Sequence, residues 1–467
     1  MPGQVSLCMI AKNEEANLAA CVQPLANLVG EIIVVDTGSS DRTKAIAENF
    51  GARVFDYPWI DDFSAARNES LRHASGSWIF WMDADDRVDD ANRQRLQTVF
   101  AGLGTENAAY LMKCQGAANP ATGAAGITEH VRLFRNHPEA RWQHRIHEQI
   151  LPALSRLGAE LRSTDVTIQH TGYLDPALRA RKAERNLRLL EQEAAERPGD
   201  SHALFYLGQT HLMLGAAGKA VPYLQACLKA ADPRDPLTAP LYVLLTQALH
   251  QTGAPAEAFA ICQAGRGHFP GNPDLLFLEG VTRQLGGDSA GAVACFQRLL
   301  ESPSRSGSMD TSMFFKARHR LALECLKQRR LGEAEAQWRI VLTENPLYLQ
   351  AWLGLADVCL ARGQADGREQ LLKSMETTPG NELNRALVTA RFHEATGNYA
   401  AARGELEQAC AAHRQALWPR VALAQILLQE GRDWRAAEQA LRAVLEIDPN
   451  HAETHRNLAL VRQRLGW

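Results

Sequence analysis

No two cysteines stand in a Cys-x-x-Cys pair, and the nine in the chain are scattered. That spacing excludes a zinc-finger framework and argues against a disulfide scaffold. Cys227, Cys262, Cys295 and Cys359 fall among apolar helical positions, and they read as reduced core residues of a cytoplasmic protein. An excess of one charge is missing as well. The net charge is -3 over 467 residues, which leaves no electrostatic footprint for nucleic acid or an anionic membrane. No apolar run reaches the length of a bilayer span. Met1 to Ile10 lacks the charged-then-apolar order of a signal peptide. Absent too are a Gly-x-Gly-x-x-Gly turn after the first apolar run and a Walker-type Gly-Lys-Ser/Thr loop, so no glycine cradle for a pyrophosphate is written in the chain. The chain exceeds the usual size of one core, and two or more domains are expected.

Two grammars divide it. In the first half, short apolar runs alternate with amphipathic segments. Val5–Ile10, Glu31–Val35, Ala52–Phe55 and Ser77–Met82 read as strands, and Glu15–Leu28, Asp41–Phe50 and Ser64–Ala74 as the helices between them. That alternation predicts βαβ units and a mostly parallel, Rossmann-like α/β sheet. Beyond Asp86 the order loosens. Ala108–Cys114 and His130–Phe134 look like further strands, and Gly116–Gly126 like a flexible loop.

The second half is helical and repetitive. Small residues recur twelve apart at Gly208 and Ala220, Gly280 and Ala292, Ala322 and Ala334, and Ala390 and Ala402. Pro233, Pro270, Pro303, Pro346, Pro379 and Pro449 close units, and starts near 239 and 273, and near 315 and 349, lie 34 residues apart. This period resembles the tetratricopeptide repeat, an all-α solenoid, with about seven copies. Trp352, Leu355, Ala356 and Pro379 match its pattern, Arg368 breaks it, and Met309–Phe315 reads as an insertion. Arg179–Glu196 reads as a joining helix and Ala452–Trp467 as a terminal cap. Such a solenoid either spaces and oligomerises or offers a concave surface to a peptide or protein. A homodimer is open.

Trp78-Ile79-Phe80-Trp81-Met82 is long enough for one buried strand, and it ends in Asp83-Ala84-Asp85-Asp86. Three other polar stretches follow the other strands: Ala11–Glu15, Asp36–Thr43 and Trp59–Asn68. In a parallel sheet these carboxyl ends share one edge, where open α/β sheets bind ligands. The text Ser6–Asn17, Glu31–Thr43 and Asp62–Asp86 resembles the inverting family 2 glycosyltransferases of GT-A fold, over roughly residues 4–172. With the repeats attached, the chain is similar to peptide S-glycosyltransferases of bacteriocin biosynthesis. The implied domains are 1–175 (transferase), 176–200 (linking helix) and 201–467 (repeats).

The resemblance implies roles. Asp36 matches the carboxylate that reads the nucleotide base, with capping of the next helix as its ordinary alternative. Ala11 and Glu14 match the first nucleotide-binding loop. Arg67 matches an Ala-Arg-Asn element beside the donor, where it would bind phosphate; a surface salt bridge is the alternative. Asp83 would face ribose and metal, Asp85 would ligate the metal, and Asp86 would be merely solvated. Mn²⁺ or Mg²⁺ suits such carboxylates and offsets charge growing on the leaving diphosphate of a UDP-sugar. His170 would complete the metal shell or be a structural histidine, with His130 and His144 as lesser candidates.

An inverting transfer needs a base opposite the diphosphate. Glu129, Glu148 and Asp165 qualify. Glu148 is preferred because Arg145-Ile146-His147-Glu148-Gln149 resembles a His-Glu element of the subfamily; a helix-start glutamate beside a capping His147 is the alternative. There is no Gln-x-x-Arg-Trp run of the processive synthases, which argues against polymer synthesis. The expected activity is transfer of one sugar from a UDP-sugar to a Cys, Ser or Thr of a peptide or protein recruited by the repeats. A lipopolysaccharide-core or other glycan acceptor, or a non-catalytic adaptor with a vestigial transferase domain, remain as alternatives.

Overall fold

The computed structural model describes residues 4–116, 127–171, 176–301, 313–363 and 365–466. Most of the expected Gly116–Gly126 loop, Pro303, and residues 309–312 of the expected insertion lie outside them. From Met313 the chain is helical.

The first half forms one eight-stranded sheet. Its strands are β1 (Val5–Ala11), β2 (Glu31–Asp36), β3 (Arg53–Asp56), β4 (Trp78–Trp81), β5 (Asp86–Arg87), β6 (Ala108–Gln115), β7 (Ile127–Arg135) and β8 (Glu160–His170). The order across the sheet is β3-β2-β1-β4-β7-β6-β8-β5. β1 to β4 are parallel, as the alternating pattern predicts. The rest is mixed: β7 runs antiparallel to β4 and β6, and β5 antiparallel to β8.

Alternation explains the two cores. Leu7, Met9, Val34, Trp78 and Phe80 point to one face, and Cys8, Ile33, Ile79 and Trp81 to the other, because successive strand side chains alternate. The first face is covered by α1 (Leu18–Val22) and α4 (Asp90–Ala101), through Leu18, Val22, Leu96 and Phe100. The second is covered by α3 (Phe63–His73) and α5 (Leu151–Arg156), through Leu71 and Leu154. The short helix α2 (Thr43–Asn49) stands between β2 and β3.

α1 is far shorter than the Glu15–Leu28 expected. Pro24 disfavours helix in the residue before it, and Glu14–Asn17 turns to meet the next loop. α4 and β8 had little signal. Only Leu96 and Phe100 form a buried apolar stripe on α4, and only Val166 and Ile168 are buried in β8.

Two compact units make up the chain, one running to Gly286 and the other taking up from Gly287. The first holds the sheet together with α6 (Pro176–Glu196), α7 (Ser201–Met213), α8 (Ala217–Lys229) and the helices through Leu285. From α7 onward, among the described residues, fourteen helices of 12 to 15 residues precede the last one, Ala452–Leu465. They make seven consecutive pairs. Small residues stand where close approach demands them: a Cβ on Gly208 would lie 2.4 Å from Leu224 Cγ, and one on Gly354 would lie 2.2 Å from Trp338 Cε2. Ala220, Ala322, Ala334 and Ala402 are fully buried. Arg368, which breaks the pattern, lies over the Phe392 ring at 5.3 Å.

Candidate active site

The loops after β1 and β2 are stitched together at the carboxyl edge of the sheet. The Ser40 N–H donates to Asn13 Oδ1 at 2.8 Å, the Asn13 N–H to Ser39 Oγ at 2.9 Å, and the Glu14 N–H to Thr43 Oγ1 at 2.7 Å. Asn13 adopts φ 55, a conformation asparagine tolerates better than most residues. The Ala11 carbonyl accepts from the Thr37 N–H and hydroxyl.

Asp36 ends β2. Its Oδ1 accepts from the N–H groups of Gly38 at 3.0 Å and Ser39 at 2.8 Å. Its Oδ2 is buried without a hydrogen-bond partner among the described residues. An unmatched buried acceptor costs about 1–3 kcal/mol. Glu14 is tied by the Asn17 amide at 2.9 Å. Burial raises its carboxyl, and the charge of Asp85 adds to the rise.

Arg67 comes from α3, which the Asp62 side chain starts by accepting from the Ala65 N–H at 2.9 Å. Its guanidinium lies 4.3 Å from the Trp81 ring centre and 5.1 Å from that of Trp142. Its Nη2 donates to Asp83 Oδ1 at 2.8 Å and its Nε to Glu148 Oε1 at 2.6 Å. Arg67 thus bridges the carboxylates of two separate loops rather than standing on the surface, and the structure brings three of the expected residues together through it. Burial alone would raise the Asp83 carboxyl, but the charges of Arg67 and Arg132 hold it below the usual carboxylate range.

The β4 strand turns sharply at its end, where the Asp86 N–H reaches the Asp83 carbonyl at 3.0 Å. β5 then pairs Asp86 with His170 at the end of β8. That register sets His170 Nδ1 at 3.0 Å from Asp86 Oδ1 and 3.4 Å from Asp85 Oδ1. The Thr171 N–H and hydroxyl both bond the Asp85 carbonyl. Donating a hydrogen bond to the Asp86 carboxylate raises the His170 imidazole against the pull of burial. Burial raises Asp85, and the like charges of Asp83 and Asp86 push the same way while His170 opposes them.

Asp86 is not a solvated turn residue. It is fully buried, with Oδ2 at 2.7 Å from Arg132 Nη1 and 2.9 Å from the Asp83 N–H. Arg132 in turn lies 3.8 Å from the Trp81 ring centre. Sequence reading missed this pair. The signal was an arginine inside the otherwise apolar Val131–Phe134 run, since a fully buried arginine needs a counter-charge.

Glu148 sits in a loop closed on itself by two 3.0 Å bonds between the Gln143 and Gln149 backbones. His144 and His147 within it have φ 74 and 54. Asn68 pins the loop's entrance with bonds of 2.9 and 3.0 Å to the Trp142 backbone. His147 stacks on Tyr206 at 3.9 Å, and burial lowers its imidazole to about 4. Glu129 is exposed on β7, and Asp165 is exposed on β8 beside Lys113. No hydrogen bond or ion pair among the described residues joins either to the carboxylate cluster. His130 meets Thr128, and His144 pairs with Glu193 rather than with Asp85.

Residues 6–117 match Glycosyl transferase family 2, and residues 176–236 and 319–382 match the Tetratricopeptide repeat. The chain joins a family 2 glycosyltransferase domain to tetratricopeptide repeats. A TPR repeat-containing protein of Synechococcus elongatus is 34% identical over 243 residues, 49% of this chain and 58% of that protein. The SPbeta prophage-derived glycosyltransferase SunS of Bacillus subtilis is 25% identical over 225 residues, 46% of this chain and 51% of that protein. An uncharacterized glycosyltransferase of Rickettsia felis is 34% identical over 98 residues, 21% of this chain and 34% of that protein. The chain thus spans little more than half the length of the first two.

In the glycosyltransferase domain, Asp83, Asp85, Asp86 and His170 each offer a ligand atom, and these lie within 4.8 Å of one another. Oxygen donors with one imidazole suit Mn²⁺, and the carboxylates alone suit Mg²⁺. Asp86 also holds Arg132, Asp83 holds Arg67, and His170 Nδ1 meets Asp86.

Proposed function

We propose that this chain is a metal-dependent, inverting hexosyltransferase that moves one sugar from a UDP-sugar to a cysteine, serine or threonine of a peptide or protein. The observation that carries this reading is the Arg67 bridge. One buried guanidinium holds both a carboxylate of the Asp-x-Asp turn and the carboxylate of the His-Glu loop, so the donor and acceptor sides of the edge are set relative to one another. We assign residues 1–175 to catalysis, 176–200 to a linking helix and 201–467 to acceptor recruitment.

In this mechanism Asp36 accepts an N–H of the base on its unpartnered Oδ2, and the Ala11–Glu14 loop walls the nucleotide. Asp85 and His170, with Asp83, would hold Mn²⁺ or Mg²⁺. Bound there, the ion supplies positive charge to the leaving diphosphate. Glu148 takes the acceptor's proton as its oxygen or sulfur attacks the anomeric carbon from the face opposite the diphosphate. Arg67 aims Glu148 and is a positioning residue. A thiol acceptor ionises more readily than a hydroxyl, so it depends less on Glu148. No helix among the described residues is long and apolar enough to cross a membrane, and no disulfide joins any of the nine cysteines, which fits work in the cytoplasm. The repeats leave a homodimer open.

The test is nucleotide release by the purified chain across UDP-, GDP- and dTDP-sugars, with Mn²⁺ and with chelator. Metal-dependent release from a UDP-sugar supports the reading. Full activity in chelator, or release confined to another nucleotide, overturns the metal or the donor respectively. Peptide pull-down by the full chain, followed by mass spectrometry of the reacted peptide, tests the acceptor. Sugar found only on a glycan overturns the peptide.

A further inference from the structure

A second set of ligand-type side chains meets where the His-Glu loop packs against α7. His144, Asp200 and His202 each offer a donor atom, and the three atoms lie within 4.8 Å of one another. The two imidazoles stack at 3.5 Å with an interplanar angle of 11°.

Each ring is oriented through one nitrogen. His202 Nε2 lies 3.0 Å from the His147 carbonyl, which only accepts, so the proton of the neutral ring belongs on Nε2. The lone pair is then on Nδ1, which is buried without a hydrogen-bond partner among the described residues, in a side chain of a residue only 6% exposed. His144 Nδ1 lies 2.7 Å from Glu193 Oε1. A carboxylate accepts, so Nδ1 carries the proton and Nε2 is left for a ligand. Glu193 is itself fixed, being 2% exposed and accepting from the Arg145 N–H at 3.1 Å. A carboxylate or carbonyl on the far nitrogen is the support that metal-ligating histidines ordinarily have. Asp200 caps α7 with Oδ1, which accepts from the Ala203 N–H at 2.9 Å, and its second oxygen is not needed for the cap. His144 and Glu193 also line a cavity of about 490 Å³.

We propose that His144, Asp200 and His202 form a second cation site, separate from the Asp-x-Asp turn and suited to Zn²⁺. Two imidazoles and one carboxylate match that borderline ion and leave a fourth position for water. Zn–N bonds of about 2.0–2.1 Å require the stacked rings to splay and Asp200 to draw in, so binding tightens the site. The ion would clip the loop that carries Glu148 to the first repeat helix, and so couple acceptor-side geometry to the solenoid's first turn.

The experiment uses the full-length chain, metal-stripped, in an Asp85→Asn background that disables the first site. Zn²⁺ is titrated by calorimetry and Co²⁺ by its visible ligand-field bands. One equivalent of Zn²⁺, tetrahedral Co²⁺ bands and a rise in Tm with Zn²⁺ are expected. Asp200→Asn keeps the helix cap, since asparagine caps as well as aspartate. It and His202→Gln should each weaken Zn²⁺ about tenfold or more, and Glu193→Gln by about 10–100-fold. If Asp200→Asn and His202→Gln titrate like their parent, the ion binds adventitiously at other histidines or cysteines and the proposal fails. Absence of any uptake by the parent also overturns it.

Discussion

Arg132 and Glu438 are both buried charged groups, and they find their partners in opposite ways. Arg132 reaches Asp86, 46 residues away, and Arg67 reaches Asp83 and Glu148, 16 and 81 residues away. In the helical half, Glu438 takes Arg442 four residues along its own helix, and Glu324 takes Lys327 three residues along. The α/β half uses its sheet to bring together charges that lie far apart in the chain. The repeats place the nearest partner within one helical turn and add others from an adjacent helix, as Arg462 does for Glu438 and the Ser289 hydroxyl for Glu324. A charge satisfied at long range depends on the whole sheet, so it belongs where the fold has a site to build. A charge satisfied locally travels with its helix and says little about function.

Breaking the long-range kind should cost most. Arg132→Met leaves Asp86 buried beside His170 without its counter-charge, and it should lower unfolding free energy by about 3–5 kcal/mol, read from urea titration of the full chain. If the midpoint moves no further than for a surface change, long-range and local charge pairs do not differ in what they hold together. Asp85→Asn tests the same edge from the side of activity. Nucleotide release should fall about 10²–10³-fold, as when a single transition-state charge partner is removed. Stability should hold or rise, because burial and two neighbouring carboxylates already disfavour the charge on Asp85. A loss of stability equal to that of Arg132→Met would make Asp85 structural.

The repeats should break by packing instead. Gly354→Ala puts a methyl 2.2 Å from the fully buried Trp338 ring. Overpacking costs about 1–3 kcal/mol and outweighs the gain in helix propensity of about 1 kcal/mol. Trp338 fluorescence against urea would show it. A further effect comes with pH. Burial lowers His319 to about 4, and its Nδ1 accepts from the Trp338 indole N–H. Between the unfolded value near 6.5 and about 4, the unfolded chain holds more protons, so stability falls as pH drops through that window and levels off below it. His319→Gln should flatten that slope. The smallest change is Arg442→Ala, worth about 0.3–0.5 kcal/mol for an i,i+4 pair. A loss several times larger would show that local pairs also carry fold.

These differences match what could be read in advance. Gly208, Ala220, Ala322 and Ala334 announce the repeats because helix contacts recur at fixed spacing. Val5–Ile10 and Ser77–Met82 announce parallel strands because burial on both faces leaves a near-continuous apolar run. β8 and α4 were hidden, since each buries only two apolar side chains and the rest of their pattern is solvent-driven. Within the site, Asp83, Asp85, Asp36 and His170 stood out by motif and position. Arg132 and the burial of Asp86 did not. Arg67 was noticed, but its partners were not, because no local pattern says which carboxylate a guanidinium will find.

By itself the sequence determined the class of each half: a sheet with its ligand edge at the carboxyl ends of β1 to β4, then a helical array of repeating period. Those follow from periodicities of two and of about 3.6 residues, which act between near neighbours. The tertiary structure alone decided that Arg67 joins Asp83 to Glu148, that Asp86 is buried on Arg132, and that β5 and β8 set His170 beside the Asp-x-Asp turn. Such contacts depend on strand register and loop closure across tens of residues. Only the folded chain supplies the low-dielectric setting that makes each charge seek a particular partner.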